Sequence, residues 1–82
     1  MTDKLVQSLA NDVAGRLKAA RDSLRAQMDA LGLTADKGWR LSEELRHTVE
    51  GTEWLFRPIH LRDHPPEGLD ASVRIDHEGR LL

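Results

Sequence analysis

The strongest constraint on this chain is a stripe of apolar residues in its N-terminal third. The stripe residues recur at steps of three or four, the spacing that places side chains on one face of an α-helix. The pair Gly32-Leu33 follows the stripe and is typical of a helix C-terminus that ends in a glycine and a hydrophobic contact. We therefore predict one long helix over about residues 3–31. The stripe consists of Val6, Ala10, Val13, Leu17, Ala20, Leu24, Met28 and Leu31.

The sequence leaves open what this stripe packs against. A heptad register breaks at Gln27, where Met28 takes over, so the pattern favours a straight packed helix over a coiled coil. The stripe could cover only the protein's own sheet, or it could be shared with a second subunit, because it is wide and the helix would extend past a strand of ordinary length. We expect a homodimer whose interface contains Val13, Leu17, Ala20, Leu24, Met28 and Leu31.

Past a polar turn at about residues 32–38, the periodicity changes from helical to alternating. Over residues 39–50 every even position is polar and most odd positions are apolar, which indicates a strand with one solvated face. A helix over residues 41–50 is the alternative, because three of the apolar residues also lie four apart. The apolar residues are Trp39, Leu41, Leu45 and Val49.

A second strand is predicted after a turn at Gly51-Thr52. It covers residues 54–62, carries apolar side chains on both faces and therefore needs cover on both. Pro58 cannot donate a ladder hydrogen bond, so it marks an edge-facing position or a bulge. The register with the first strand stays open: a two-residue loop would place Arg46 opposite Arg57, and a three-residue loop would pair His47 with Arg57.

Residues 69–76 alternate cleanly between apolar and polar and predict a third strand, and residues 80–82 allow a short fourth one. The predicted fold class is α+β. We expect a single domain over residues 1–82, with one long N-terminal helix packed on a three- to four-stranded antiparallel meander at about residues 39–82.

Composition and motifs argue against several kinds of chemistry. The chain has no cysteine, which excludes disulfides, thiolate metal sites and cysteine nucleophiles. His60 and His64 flank Asp63, and residues 76–78 offer further ligand types, but no regular element would hold these groups on one side. No nucleophile elbow, phosphate-binding glycine loop or dinucleotide fingerprint is present. We predict no metal, no cofactor, no catalytic residues and no enzymatic activity.

The charge balance bears on localisation and partners. The net charge is −2 and no stretch approaches membrane-spanning length, so we expect a soluble, cytoplasmic protein with no membrane partner and no field that attracts nucleic acid.

Arginine and tryptophan are among the residues enriched at protein interfaces, and nine of the twelve basic residues are arginine. We therefore expect a small regulator, adaptor or inhibitor that binds an unidentified larger protein. The alternative is a nucleic-acid-binding regulator that uses arginines of the sheet or helix, with aromatic rings nearby for base stacking. The candidate partner-binding residues are Trp39, Arg46, Trp54, Phe56 and Arg57.

Overall fold

The chain forms one helix and one antiparallel sheet in a computed structural model that describes the backbone of residues 2–82 and the side chains of residues 12–82. Helix α1 (Thr2–Ala30) is followed by a short 3₁₀ turn and by strands β1 (Arg40–His47), β2 (Gly51–Ile59) and β3 (Ala71–Asp76). The strand order is β1-β2-β3, and α1 packs over β2 and β3. The predicted α+β fold is confirmed, and residues 41–47 are strand and not helix. The stripe residues Val6 and Ala10 lie outside the described side chains.

The end of α1 follows the predicted glycine signal. Gly32 has a φ of 75°, and its N–H donates to the carbonyl of Asp29 at 3.1 Å, while the N–H of Leu33 donates to the carbonyl of Met28 at 2.8 Å. This pair of bonds is a Schellman motif, which satisfies carbonyls that the helix itself leaves without donors. Leu33 then packs against the core, so the motif also directs the chain back towards the sheet.

The turn between β1 and β2 differs from the predicted one. Thr48 and Gly51 exchange backbone hydrogen bonds of 2.7 and 3.3 Å, so the tip is Val49-Glu50 and Gly51 belongs to β2. Gly51 is needed for another reason: a Cβ there would lie 2.0 Å from the carbonyl oxygen of Ile75. Val49 is consequently 95% exposed at the tip and does not belong to an apolar strand face.

The register between β1 and β2 differs from both registers that the sequence left open. Arg46 pairs with Glu53, and Arg57 pairs with Ser42, so no two arginines face each other across this hairpin. The missing N–H of Pro58 removes no ladder hydrogen bond, because this position faces the β3 side of β2, and the pairing with β3 ends at Phe56. The possible fourth strand is reduced to one bridge between Ile75 and Leu81.

The core lies between α1 and the face of the sheet that carries the aromatic residues of β2. Phe56 has no exposed surface and sits in the central strand, and the helix residue Leu24 is 2% exposed. Leu17 and Ala20 extend the contact along α1 towards its N-terminus. The buried hydrophobic residues are Leu24, Met28, Trp39, Phe56, Leu69 and Val73.

Truncation of Leu24 tests this packing. Leu24→Ala is expected to lower the free energy of unfolding by about 2–5 kcal/mol, because it removes buried methyl groups and leaves a cavity beneath the sheet. Leu61→Ala is the matched control: Leu61 is fully exposed, and its truncation is expected to change stability by less than about 0.5 kcal/mol. Urea unfolding followed by circular dichroism measures both, and equal effects would contradict the assigned core.

Candidate interaction surfaces

The sheet has one covered face and one uncovered face. Side chains alternate along each strand, and the buried Phe56 and Val73 identify the face that α1 covers. The strand residues of opposite parity point to the other side, which we call the open face. The open face carries Arg40, Ser42, Glu44, Arg46, Glu53, Leu55, Arg57, Ile59, Ser72, Arg74 and Asp76.

Charges of opposite sign neighbour one another on the open face. The guanidinium of Arg57 donates to Glu44 at 2.9 Å across β1 and β2. In the next row, Glu53 of the central strand lies between Arg46 and Arg74. Exposed pairs of this kind contribute less than about 1 kcal/mol each, so they shape the surface more than they stabilise the fold.

Apolar side chains interrupt the open face and continue beyond the end of β2. Ile59 is 44% exposed, and Leu61 projects fully into solvent. Beside them lies an open groove of about 380 Å³. The groove is lined by Ala35, Gly38, Arg40, Ile59, His60 and Leu61.

The hydrogen bonds of His60 stabilise one side of this groove. Its Nε2 lies 2.9 Å from the carbonyl oxygen of Lys37, and its Nδ1 accepts the backbone N–H groups of Arg62 and Asp63 at 3.0 Å each. These partners require the tautomer that carries the hydrogen on Nε2. The ring also packs against Trp39, with centroids 4.9 Å apart. His60 therefore ties the 3₁₀ turn to the segment after β2, and both ring nitrogens are already engaged.

Asp76, another candidate metal ligand, also has partners within the fold. The carboxylate of Asp76 accepts the backbone N–H groups of Arg80 and Glu78, and the first of these bonds is the main reason that its pKa is lowered. Within residues 12–82, histidine and carboxylate side chains form no group of three that could hold a metal ion.

Arg21 links the helix to β1 at the border of the core. Its guanidinium donates to both carboxylate oxygens of Glu43, at 2.8 and 3.2 Å, and lies over the ring of Phe56 at 5.5 Å from the centroid. The hydrogen bond from Arg21 lowers the pKa of the Glu43 carboxyl. The guanidinium of Arg21 thereby compensates the negative charge of Glu43, which lies on the face of the sheet that α1 covers.

The structure separates the predicted partner-binding residues into two groups. Arg46 and Arg57 are exposed on the open face, whereas Trp39 and Phe56 are buried and Trp54 is half-buried on the helix side. The aromatic rings are therefore not on the surface that carries these arginines. Sequence reasoning did not single out Leu45, Ile59 and Leu61, which are exposed apolar residues, although the alternation of the strands marked the face of Ile59.

The predicted dimer-interface residues are also divided. Leu24 and Met28 are buried within the single chain, and Leu17 and Ala20 pack against the same core. Leu31, at the end of the helix, is 57% exposed. The residues of this set that retain partial exposure are Val13, Leu17, Ala20 and Leu31.

Within the part of the chain that the structure describes, no helix has the length and apolar character needed to cross a membrane. Comparison with protein-family models, curated proteins and solved structures finds no match.

The Arg21–Glu43 pair makes the free energy of unfolding depend on pH in the acid range. Because the pKa of Glu43 is lower in the folded chain than in the unfolded one, the pair contributes fully above the ordinary pKa of 4.5 and is lost as the pH falls through the folded-state value. Unfolding free energy measured across this range is expected to fall less steeply in Glu43→Gln than in the wild type.

Two variants check the assignment of this pH dependence. Arg21→Gln is expected to flatten the curve in the same way, because Glu43 then loses its donor. Glu67→Gln, in the exposed loop before β3, is expected to run parallel to the wild type. Parallel curves for the wild type and Glu43→Gln would show that the pair does not carry the effect.

Proposed function

We propose that the protein is a small, non-enzymatic, cytoplasmic interaction module that regulates, adapts or inhibits a larger protein and acts as a homodimer. The observation that carries the proposal is the open face of the sheet. It is a broad surface of alternating arginines and carboxylates, interrupted by Leu55 and Ile59 and left uncovered by the only described helix.

The chemistry of this surface suits a protein partner. The guanidinium groups of Arg46 and Arg57 can form bidentate hydrogen bonds with carboxylates. Ile59 and Leu61 add apolar area at one end of the surface. Glu44 restrains Arg57 before binding, which reduces the conformational entropy that docking would cost. The mixed charge selects a partner with a complementary pattern and not simply one of opposite net charge.

The homodimer is proposed because a small domain with exposed apolar residues gains stability from a second subunit. On the helix, the surface available for it comprises Leu31 and the partly exposed Val13, Leu17 and Ala20, since Leu24 and Met28 already serve the core.

Capture of a protein from cells tests the open face directly. The tagged wild-type chain is expected to retain a specific protein, identified by mass spectrometry, and Arg57→Glu and Ile59→Asp are expected to lose it, because they reverse a charge or place one on the apolar part of this surface. Lys18→Glu is the matched control: Lys18 is exposed on the helix and pairs only with Asp22 among the described residues. Equal capture by all four chains would contradict the proposal.

Nucleic-acid binding is the second candidate, favoured by the exposed Arg40, Arg46, Arg57 and Arg74 on one face. Two features weaken it. Glu44 and Glu53 stand among these arginines, and the aromatic rings that would stack bases lie on the opposite face.

Titration with labelled single and double strands separates the two functions. We expect weak binding that disappears at about 0.15 M salt, because few phosphates can be neutralised on a balanced surface. Submicromolar affinity at that salt concentration, lost in Arg46→Glu or Arg57→Glu and kept in Lys18→Glu, would instead establish the nucleic-acid function.

A further inference from the structure

Strand β1 forms a free edge of the sheet. In the described part of the chain it pairs only with β2, and α1 lies over β2 and β3. The opposite edge is partly occupied, because Leu81 bridges to Ile75 of β3. The backbone of β1 is therefore the longer uncovered edge of this sheet.

The register identifies which backbone groups this edge presents. Thr48 and Gly51 exchange hydrogen bonds, so the pairs two residues further along, beginning with Arg46 and Glu53, also exchange them. The intervening residues of β1 direct their N–H and C=O groups away from β2. These residues are Leu41, Glu43, Leu45 and His47.

We propose that a second copy of this chain pairs with the edge, with β1 antiparallel to the partner's β1 and the two-fold axis at Leu45. This inference rests on the proposed homodimer and replaces the helix stripe as its interface. The two sheets become one continuous sheet across the axis. Both helices then lie on one side, and the two open faces join on the other.

The charges of β1 complement themselves in this register. Glu44 of each copy faces Arg46 of the other, and Glu43 faces His47, a ring that can donate a hydrogen bond to a carboxylate. Leu45, which is 55% exposed in the single chain, packs on its own symmetry mate. Each cross-strand pair from Glu43 to His47 is therefore either apolar with apolar or acidic with a donor.

Neighbouring registers bring like charges together. A shift by two residues in one direction places Glu44 opposite Glu44, and a shift in the other direction places Arg46 opposite Arg46. A shift by four residues in the first direction places Glu43 opposite Glu43. Like charges directly opposite each other destabilise strand pairing, so the sequence of β1 selects the register centred on Leu45. Charges on an edge strand can instead prevent pairing with another chain. Reversing the charges distinguishes this role from the stabilisation of a dimer.

Charge reversal in trans is the decisive experiment. Glu44→Arg alone and Arg46→Glu alone are each expected to raise the dimer dissociation constant by at least about tenfold, because each homodimer then contains two like-charge pairs. An equimolar mixture of the two variants is expected to form a heterodimer with nearly wild-type affinity, since both pairs are again complementary. Arg74→Glu, on the same face but on β3, is the matched control and is expected to leave the constant unchanged.

Sedimentation equilibrium measures these constants, with circular dichroism to show that each variant is folded. A mixture that stays as weak as its components overturns the proposed register, as does a dimer that neither reversal weakens.

Single cysteines locate the interface, because the wild-type chain has none. Leu45→Cys is expected to form an intermolecular disulfide on mild oxidation, since two hydrogen-bonded partners on antiparallel strands have Cα atoms about 5.5 Å apart, within the range that a disulfide spans. Leu31→Cys, equally exposed but at the end of the helix, is expected to remain unlinked.

The outcomes distinguish this inference from the proposed homodimer itself. A dimer crosslinked through Leu31→Cys and not through Leu45→Cys overturns edge pairing and supports the helix interface. A wild-type chain that remains monomeric at concentrations on the order of 50 µM overturns the homodimer, and edge pairing with it.

Discussion

The contact between α1 and the ring of Phe56 is the interaction on which the rest of this structure depends. Phe56 lies at the centre of the middle strand and has no exposed surface, because Leu24 and its neighbours on the helix cover it. A three-stranded sheet cannot cover its own apolar face, so without the helix this side of β2 and β3 would face water. One helix covers one face. The opposite face and the outer edge of β1 are therefore left for solvent or for partners.

Polar interactions at the border of the core determine how these surfaces are presented. Arg21 binds Glu43 and stacks on Phe56, which positions the edge strand β1 relative to the helix. His60 joins the segment after β2 to the 3₁₀ turn and supports the groove beside Ile59. Both residues bridge segments distant in sequence, and both use their polar groups within the fold. Because these polar groups already stabilise the fold, the open face and the β1 edge remain as the surfaces suited to recognition.

The proposed interaction surface and the proposed dimer are geometrically compatible. Pairing through β1 leaves every open-face side chain on the same side of an extended sheet, so a dimer would present two copies of Arg57 and Ile59 on that side, towards its two opposite ends. A partner that contacts both copies would gain avidity without any new kind of contact. Pairing through the helix would have only Leu31 and the partly exposed Val13, Leu17 and Ala20 available, because Leu24 and Met28 already belong to the core.

The sequence by itself determined the local structure. Its helical stripe, the Gly32-Leu33 signal and the alternation of residues 39–50 and 69–76 predicted the elements and the α+β class, and they also predicted that Arg46 would be polar surface. Only the tertiary structure decided which apolar residues are buried and where the hairpin turns. Val49 continues the alternation yet lies at the turn, and Gly51 belongs to the strand because the backbone of β3 approaches it too closely for a Cβ. Trp39 and Phe56 are of residue types that favour contact surfaces, but α1 and the sheet enclose them. Burial and register depend on contacts between residues far apart in the chain. Local periodicity indicates which residues share a face, but not which element covers that face or which residues of two strands are paired.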